Sequence, residues 1–367
     1  MALKLLPISP KPFITSECWT YYKLSIIQTL PVFDLWLANH MKIYSNQYGD
    51  AFYGDAGRLY PLSYFSEILD MEEKSIFDIS STEIIDFIIR QIDKGNYLII
   101  DANYNKLLGR NLSSFWFHET LIYGYDTDTQ EFITPLLSNQ SFKETRISFQ
   151  VFKDSYEDIL DFYTQNKEAF FDRRSYFFPI TILRPKHNYT NANACYDFVA
   201  KLRYELTGMM YTEQQYSSSG NSEETYTYCT GLPCMPYFVN IMQDLINPIG
   251  ETQDKPERYC KTCLKLYENQ NMLLHSMKWF TNEYVKGSKP LEELIKQYEN
   301  CCNTMYNNVL LFYKYLLNRD NRIIERIINS LNQTYDIEKG LLEEMIPLIT
   351  KLYTEQLYSN ACTKVFS

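Results

Sequence analysis

Between Arg184 and Asn193 the chain reads RPKHNYTNAN, and the hydrophobic period differs on its two sides. Upstream, apolar residues gather in short runs bounded by turn residues: NYLIIDAN (96–103), HETLIYGYD (118–126), EFITPLL (131–137) and SYFFPITILRP (175–185). Runs of that length and β-branched content read as strands. DTDTQ, between the second and third, has hairpin spacing. Two amphipathic helices share this half. In CWTYYKLSIIQTL, Trp19, Tyr22, Ile26 and Leu30 recur at steps of three or four, with Ser16 placed to cap the start. In STEIIDFIIRQIDKG, Ile84, Ile85, Ile88, Ile89 and Ile92 make the apolar stripe and Gly95 ends it. Downstream, the spacing is helical over 194–208, 236–246, 257–286, 290–318, 320–332 and 337–358. A sheet needs period 2 and a helix 3.6, so the change of period places a boundary. The expected class is α+β: a domain over 1–185 with an antiparallel sheet, and a mostly helical domain over 186–367. The polar, Ser-rich stretch 212–228 is expected to be a mobile loop or lid.

The 367 residues suffice for two cores, and 45% of them are hydrophobic, which excludes a disordered chain. A net charge of −10 argues against nucleic acid as a partner, since phosphate binding needs clustered Lys and Arg. No apolar run has membrane-spanning length, and MALKLLPISPKPF lacks a secretory core, so no membrane partner is expected and the expected location is cytoplasmic. Nine cysteines, an odd number, fit free thiols in a reducing compartment. Cys229, Cys234, Cys260 and Cys263 have spacings a zinc ion tolerates, but no zinc knuckle surrounds them, and no metal is expected.

Cys18 is the only cysteine of the first half, and it stands where the first amphipathic helix begins. Backbone N–H groups and the helix dipole favour a thiolate there. His118 opens a strand about a hundred residues later. Cysteine at a helix head and histidine at a strand head is the order in which papain-like thiol enzymes are assembled. The text around the histidine adds to this. HETLIYGYDTDTQEFITP resembles the H-x-x-x-x-x-G-Y-D, acidic turn, F-x-x-D-P stretch of two related families. These are the double-glycine leader peptidases of bacteriocin exporters and the butirosin-biosynthesis (BtrH) acyltransferases, and the likeness covers roughly residues 10–180. It implies a papain-like fold, Cys18 as nucleophile and His118 as base.

Two departures accompany it. The family's Asp falls on Thr134, whose hydroxyl can accept the Nδ1–H bond but supplies no charge. Asn139 and Asp126 are alternative orienters. The glutamine that papain-like proteases place five or six residues before the cysteine is replaced by Pro12 and Phe13. The backbone N–H of Cys18 and the Ser16 hydroxyl remain as oxyanion donors. A lost side-chain donor costs ~3–4 kcal/mol in amide cleavage, and thioesters, being more electrophilic, need it less.

The resemblance therefore implies an ATP-independent acyltransferase of nonribosomal-peptide-type metabolism. It would move an acyl group from a carrier-protein thioester, through a Cys18 acyl-enzyme, to a small amine or diamine. Amide synthases of the closthioamide type share this ancestry. No cofactor is expected, since phosphopantetheine enters only as part of the carrier-bound substrate, and Arg110 is a candidate contact for its phosphate. A leader-type cysteine peptidase and a non-catalytic binding module are the alternatives. His40 and His275 read as helix positions, and His187 lies in the boundary segment.

Overall fold

The computed structural model describes residues 3–53, 64–110, 116–138, 141–166, 180–216, 223–246 and 256–365. In chain order the strands are β1 (Leu3–Leu5), β2 (Ile43–Asn46), β3 (Ala51–Tyr53), β4 (Leu69–Lys74), β5 (Tyr97–Asn103), β6 (Phe117–Ile122), β7 (Gly124–Asp126), β8 (Glu131–Ser138), β9 (Ser141–Ser148), β10 (Ile180–Pro185), β11 (Met210–Tyr216) and β12 (Glu223–Thr230). The α-helices are α1 (Cys18–Ile27), α2 (Phe33–Asn39), α3 (Ile84–Asp93), α4 (Tyr104–Leu107), α5 (Phe149–Gln165), α6 (Ala194–Thr207), α7 (Cys234–Met242), α8 (Pro256–Tyr284), α9 (Lys289–Asn318) and α10 (Asn321–Val365). The class is α+β with antiparallel sheets and a helical C-terminal region. Two compact units divide the chain, one of Met1–Phe33 with Gly57–Tyr189, the other of Asp34–Ala56 with Thr190–Ser367. The change of hydrophobic period thus lies within a few residues of the later boundary. Residues 34–56, expected in the first domain, belong to the second, because β2 and β3 pair there.

The first unit holds two four-stranded sheets, ordered β1-β7-β8-β9 and β4-β10-β5-β6. The run 118–126, expected as one strand, divides at Tyr123: β6 pairs with β5, and β7 pairs with β1 and β8. Gly124 makes the divide possible. A Cβ there would lie 2.5 Å from Leu5 Cδ2 and 2.8 Å from the Lys4 carbonyl oxygen, so only glycine lets β1 approach. The apolar stripe of α3 packs Ile84, Ile88 and Ile92 into a core with Leu98, Ile100, Phe132, Phe152 and Tyr156. Helix α1 differs from expectation. Instead of one face, every residue from Thr20 through Ile27 is buried, as in a helix packed on all sides. Lys23 is accommodated with its ammonium 4.4 Å from the Trp19 ring centre.

The second unit is helical but carries its own sheet, β11-β12-β2-β3. The expected loop 212–228 is mostly hairpin: Met210 pairs with Cys229, and the register runs to Tyr216 opposite Glu223. Its sequence hides the strands because the sheet is held by tyrosine contacts rather than an aliphatic stripe: Tyr211 stacks on Tyr228 at 5.3 Å, and Tyr48 meets Tyr226 edge-on at 5.9 Å. Residues 217–222 lie outside the described residues. The segments 320–332 and 337–358, expected as separate helices, form the single helix α10, since the intervening polar residues keep helical geometry and Thr334 bonds back to the Ser330 carbonyl.

Candidate functional site

Helix α1 begins at Cys18, a half-buried thiol that forms no disulfide. Its N-cap is Glu17, in extended conformation, rather than Ser16. Glu17 makes no side-chain cap hydrogen bond; its carboxylate takes the Thr20 hydroxyl instead. The first turn of a helix is where backbone N–H groups can hold an oxyanion. Ser16 sits one residue before the cap, half-buried.

One turn along, Tyr22 reaches β6 and donates its hydroxyl to the Glu119 carbonyl at 3.0 Å. Burial raises the Tyr22 phenol well above its ordinary value, and the nearby groups Tyr104, Cys18 and Glu119 push the same way. Tyr104, at the head of α4, is also raised chiefly by burial, again with a contribution from Cys18. The Tyr104 oxygen accepts the Leu137 N–H at 2.5 Å. Cys18, one helical turn before Tyr22, thus acts electrostatically on both phenols.

His118 lies on β6 opposite Ala102, with its ring 5.1 Å from that of Tyr104 and 6.0 Å from that of Trp116. Its side chain is 19% exposed, enough for a reactant to reach. Nδ1 stands 2.9 Å from the Glu119 carbonyl oxygen and 3.5 Å from the Glu119 carboxylate. A proton on Nδ1 has an acceptor there, and Nε2 is left with its lone pair, the form a base needs. Tyr104 thus lies against the His118 ring and within the electrostatic influence of Cys18.

The expected orienters are placed otherwise. Thr134 is on β8 opposite Thr145, wholly buried, and its hydroxyl has no hydrogen-bond partner. The imidazole Nδ1 is engaged by Glu119 instead. Asp126 serves the β7–β8 turn: its carboxylate accepts the Asp128 N–H at 3.1 Å and pairs with Arg146 at 3.2 Å. With Tyr125 donating to Asp93 at 2.7 Å, each residue of the Gly-Tyr-Asp block has a structural role. Asn139 lies outside the described residues. The Arg110 guanidinium is 6.0 Å from the Trp116 ring centre, and Trp116 is exposed.

The other histidines are elsewhere. His275 Nε2 pairs with Asp34 at 2.7 Å, and His187 is exposed in a turn. Burial, then Lys201 and Lys42, lower His40 to about 3. The four cysteines with zinc-like spacing fall into two local pairs. Cys234 donates its thiol to the Cys229 carbonyl at 3.0 Å, while Cys260 and Cys263 are a turn apart on α8. Burial pushes the Cys260 thiol up to about 11. Among the described residues, no three His, Cys, Asp or Glu side chains group as metal ligands, so that set does not converge.

Sequence reasoning missed Tyr22, Tyr104 and Glu119. Tyr22 stands four residues after Cys18 and was legible as a helix neighbour. Glu119 adjoins His118, but alternation along a strand would have turned it to the other face. Compared with known proteins, the chain matches no family model and no curated protein. Among the described residues, no helix is long and apolar enough to cross a membrane.

Proposed function

We propose that the first unit is a papain-like thiol enzyme that forms amides from carrier-bound thioesters without ATP. The observation that carries this reading is that Cys18, first residue of α1, acts electrostatically on the Tyr104 phenol, whose ring lies 5.1 Å from the His118 imidazole. His118 Nε2 takes the Cys18 thiol proton, and Sγ attacks the thioester carbonyl carbon. The carrier's pantetheine sulfur leaves with that proton, and the acyl group remains on Cys18. A small amine or diamine then attacks the acyl carbon, gives a proton to Nε2, and Sγ departs and regains it. The sum is thioester plus amine to amide plus thiol, with the thioester supplying the free energy. First-turn N–H groups of α1 would hold the oxyanion. The Glu119 carbonyl, with its carboxylate behind, would set the imidazole tautomer in place of the family's Asp.

Peptide cleavage is less well served, because Pro12 and Phe13 stand where a glutamine donor would and Pro12 is buried. One observation favours a second reading, a non-catalytic binding module: β8 presents the partnerless Thr134 hydroxyl in place of a carboxylate. Intact-mass measurement after mixing with an acyl N-acetylcysteamine thioester separates the two. The first reading gives a one-acyl adduct that Cys18→Ala abolishes and an added amine discharges. Absence of an adduct, with iodoacetamide labelling Cys18 no faster than the other thiols, supports the module.

A further inference from the structure

The first unit contains a cavity of about 470 Å³ lined by Leu6, Pro10, Tyr21, Tyr123, Phe142 and Glu144, among others. That volume is within the usual range for a site holding a small organic molecule. Its walls are aromatic and aliphatic. Tyr21 stacks on Phe142 with ring centres 3.6 Å apart, and Phe142 also meets Tyr22 edge-on at 5.8 Å. Glu144 supplies the one carboxylate among the lining residues, which include no Lys, Arg or His. Tyr123 donates its hydroxyl to that carboxylate at 2.5 Å and so fixes its position. Of the two cations on the same strand, Lys143 alternates to the other face, and Arg146 is engaged with Asp126 at 3.2 Å and Glu131 at 3.4 Å. Both phenols keep their protons at neutral pH, Tyr21 because burial raises it to about 12 and Tyr123 because burial and Glu144 raise it further.

We propose that this cavity binds an organic ammonium carrying a short apolar chain, with the charge at Glu144 and the chain against Tyr21, Phe142 and Pro10. A fixed carboxylate beside electron-rich ring faces is the combination that selects a cation over a neutral isostere. The location gives the site a purpose. Tyr21 is three residues beyond Cys18 on α1, about 5 Å along the helix axis, and Pro135, which also lines the cavity, follows Thr134 on β8. The proposal rests on the acyl-transfer reading for that purpose: the cavity stores the acceptor amine in its resting, charged form. Its binding chemistry does not depend on that reading.

The test is calorimetric titration of the full-length Cys18→Ala protein with hexylammonium, 1-hexanol and hexanoate. Hexylammonium is expected to bind about tenfold more tightly than 1-hexanol, and hexanoate more weakly than either. Glu144→Gln should bring hexylammonium to the level of the alcohol, and Tyr123→Phe should weaken it about threefold by releasing the carboxylate. Glu144 is exposed, so its replacement leaves the fold intact. Equal binding of amine and alcohol, or an amine preference that survives Glu144→Gln, overturns the proposal. The protein titrated has no nucleophile and the probes have no thioester, so the result is independent of whether Cys18 is ever acylated.

Discussion

Glu338 lies on α10 at 2% exposure, accepting the Tyr298 hydroxyl at 2.6 Å and the Gln270 side-chain amide. Burial raises its carboxyl to about 7 from the ordinary 4.5; those hydrogen bonds oppose the rise, and the buried Glu205 carboxylate adds to it. The folded protein therefore holds a proton that the unfolded chain has already released between those values. This contribution to stability is complete below about pH 4.5 and is lost as pH climbs through 7, where the buried carboxylate must ionise. A shift of that size corresponds to about 3 kcal/mol. Glu338→Gln keeps an acceptor for Tyr298 and presents an N–H₂ where the acid carried its proton. The Gln270 Oε1 atom, buried and otherwise partnerless, can accept from it once that amide rotates. The variant should match the parent within about 1 kcal/mol at pH 5 and exceed it by about 2–3 kcal/mol at pH 8.5. Relief of the repulsion with Glu205 acts in the same direction. The assay is denaturant unfolding of both proteins across that range, followed by a probe in the second unit, such as Trp279 fluorescence. Subtracting the parent curve removes the titrations the two proteins share. A flat difference, or a variant less stable at every pH, refutes a buried Glu338 that resists ionisation.

Four further outcomes follow from the first unit and from His40. Glu119→Gln should slow acylation of Cys18 about tenfold; an unchanged rate removes Glu119 as the residue that positions His118. Thr134→Val should leave acylation unaltered and stabilise the protein by up to about 1 kcal/mol, since it deletes a buried hydroxyl with no partner. A large loss of rate would restore Thr134 as orienter. Gly124→Ala should cost about 1–3 kcal/mol by thermal melting and expose the Leu3–Leu5 amides to hydrogen exchange, because its Cβ meets Leu5 and the Lys4 carbonyl. His40 is held neutral far below its ordinary value of 6.5, so its contribution is present above pH 6.5 and falls away toward pH 3; His40→Gln should flatten the acid limb of the stability profile.

The parts of this protein that were legible in its sequence are those in which local pattern and tertiary packing agree. Ile84, Ile88 and Ile92 announce α3 because their spacing is also the face that packs. The hairpin DTDTQ was visible because Asp126 makes its turn contacts within three residues. Helix α1 was found but its environment was not, since a helix packed on all sides has no polar face to mark it. The hairpin β11–β12 was read as a loop because Thr, Gln and Tyr form strands through cross-strand aromatic contacts that composition does not reveal. Residues 34–56 carry no sign of their partners, which lie more than 170 positions away in β12. At the site, the types Cys and His at helix and strand heads were readable. The Glu119 contacts were not, because they depend on a side chain leaving strand alternation.

The most direct test of the account is the mass of the intact protein after exposure to an acyl N-acetylcysteamine thioester. A single acyl increment is expected, mapped to the peptide containing Cys18, absent in Cys18→Ala, formed at least about a hundredfold more slowly in His118→Ala, and removed by a primary amine with release of the amide. Acylation spread over several cysteines, or undiminished in the Cys18 variant, would contradict it.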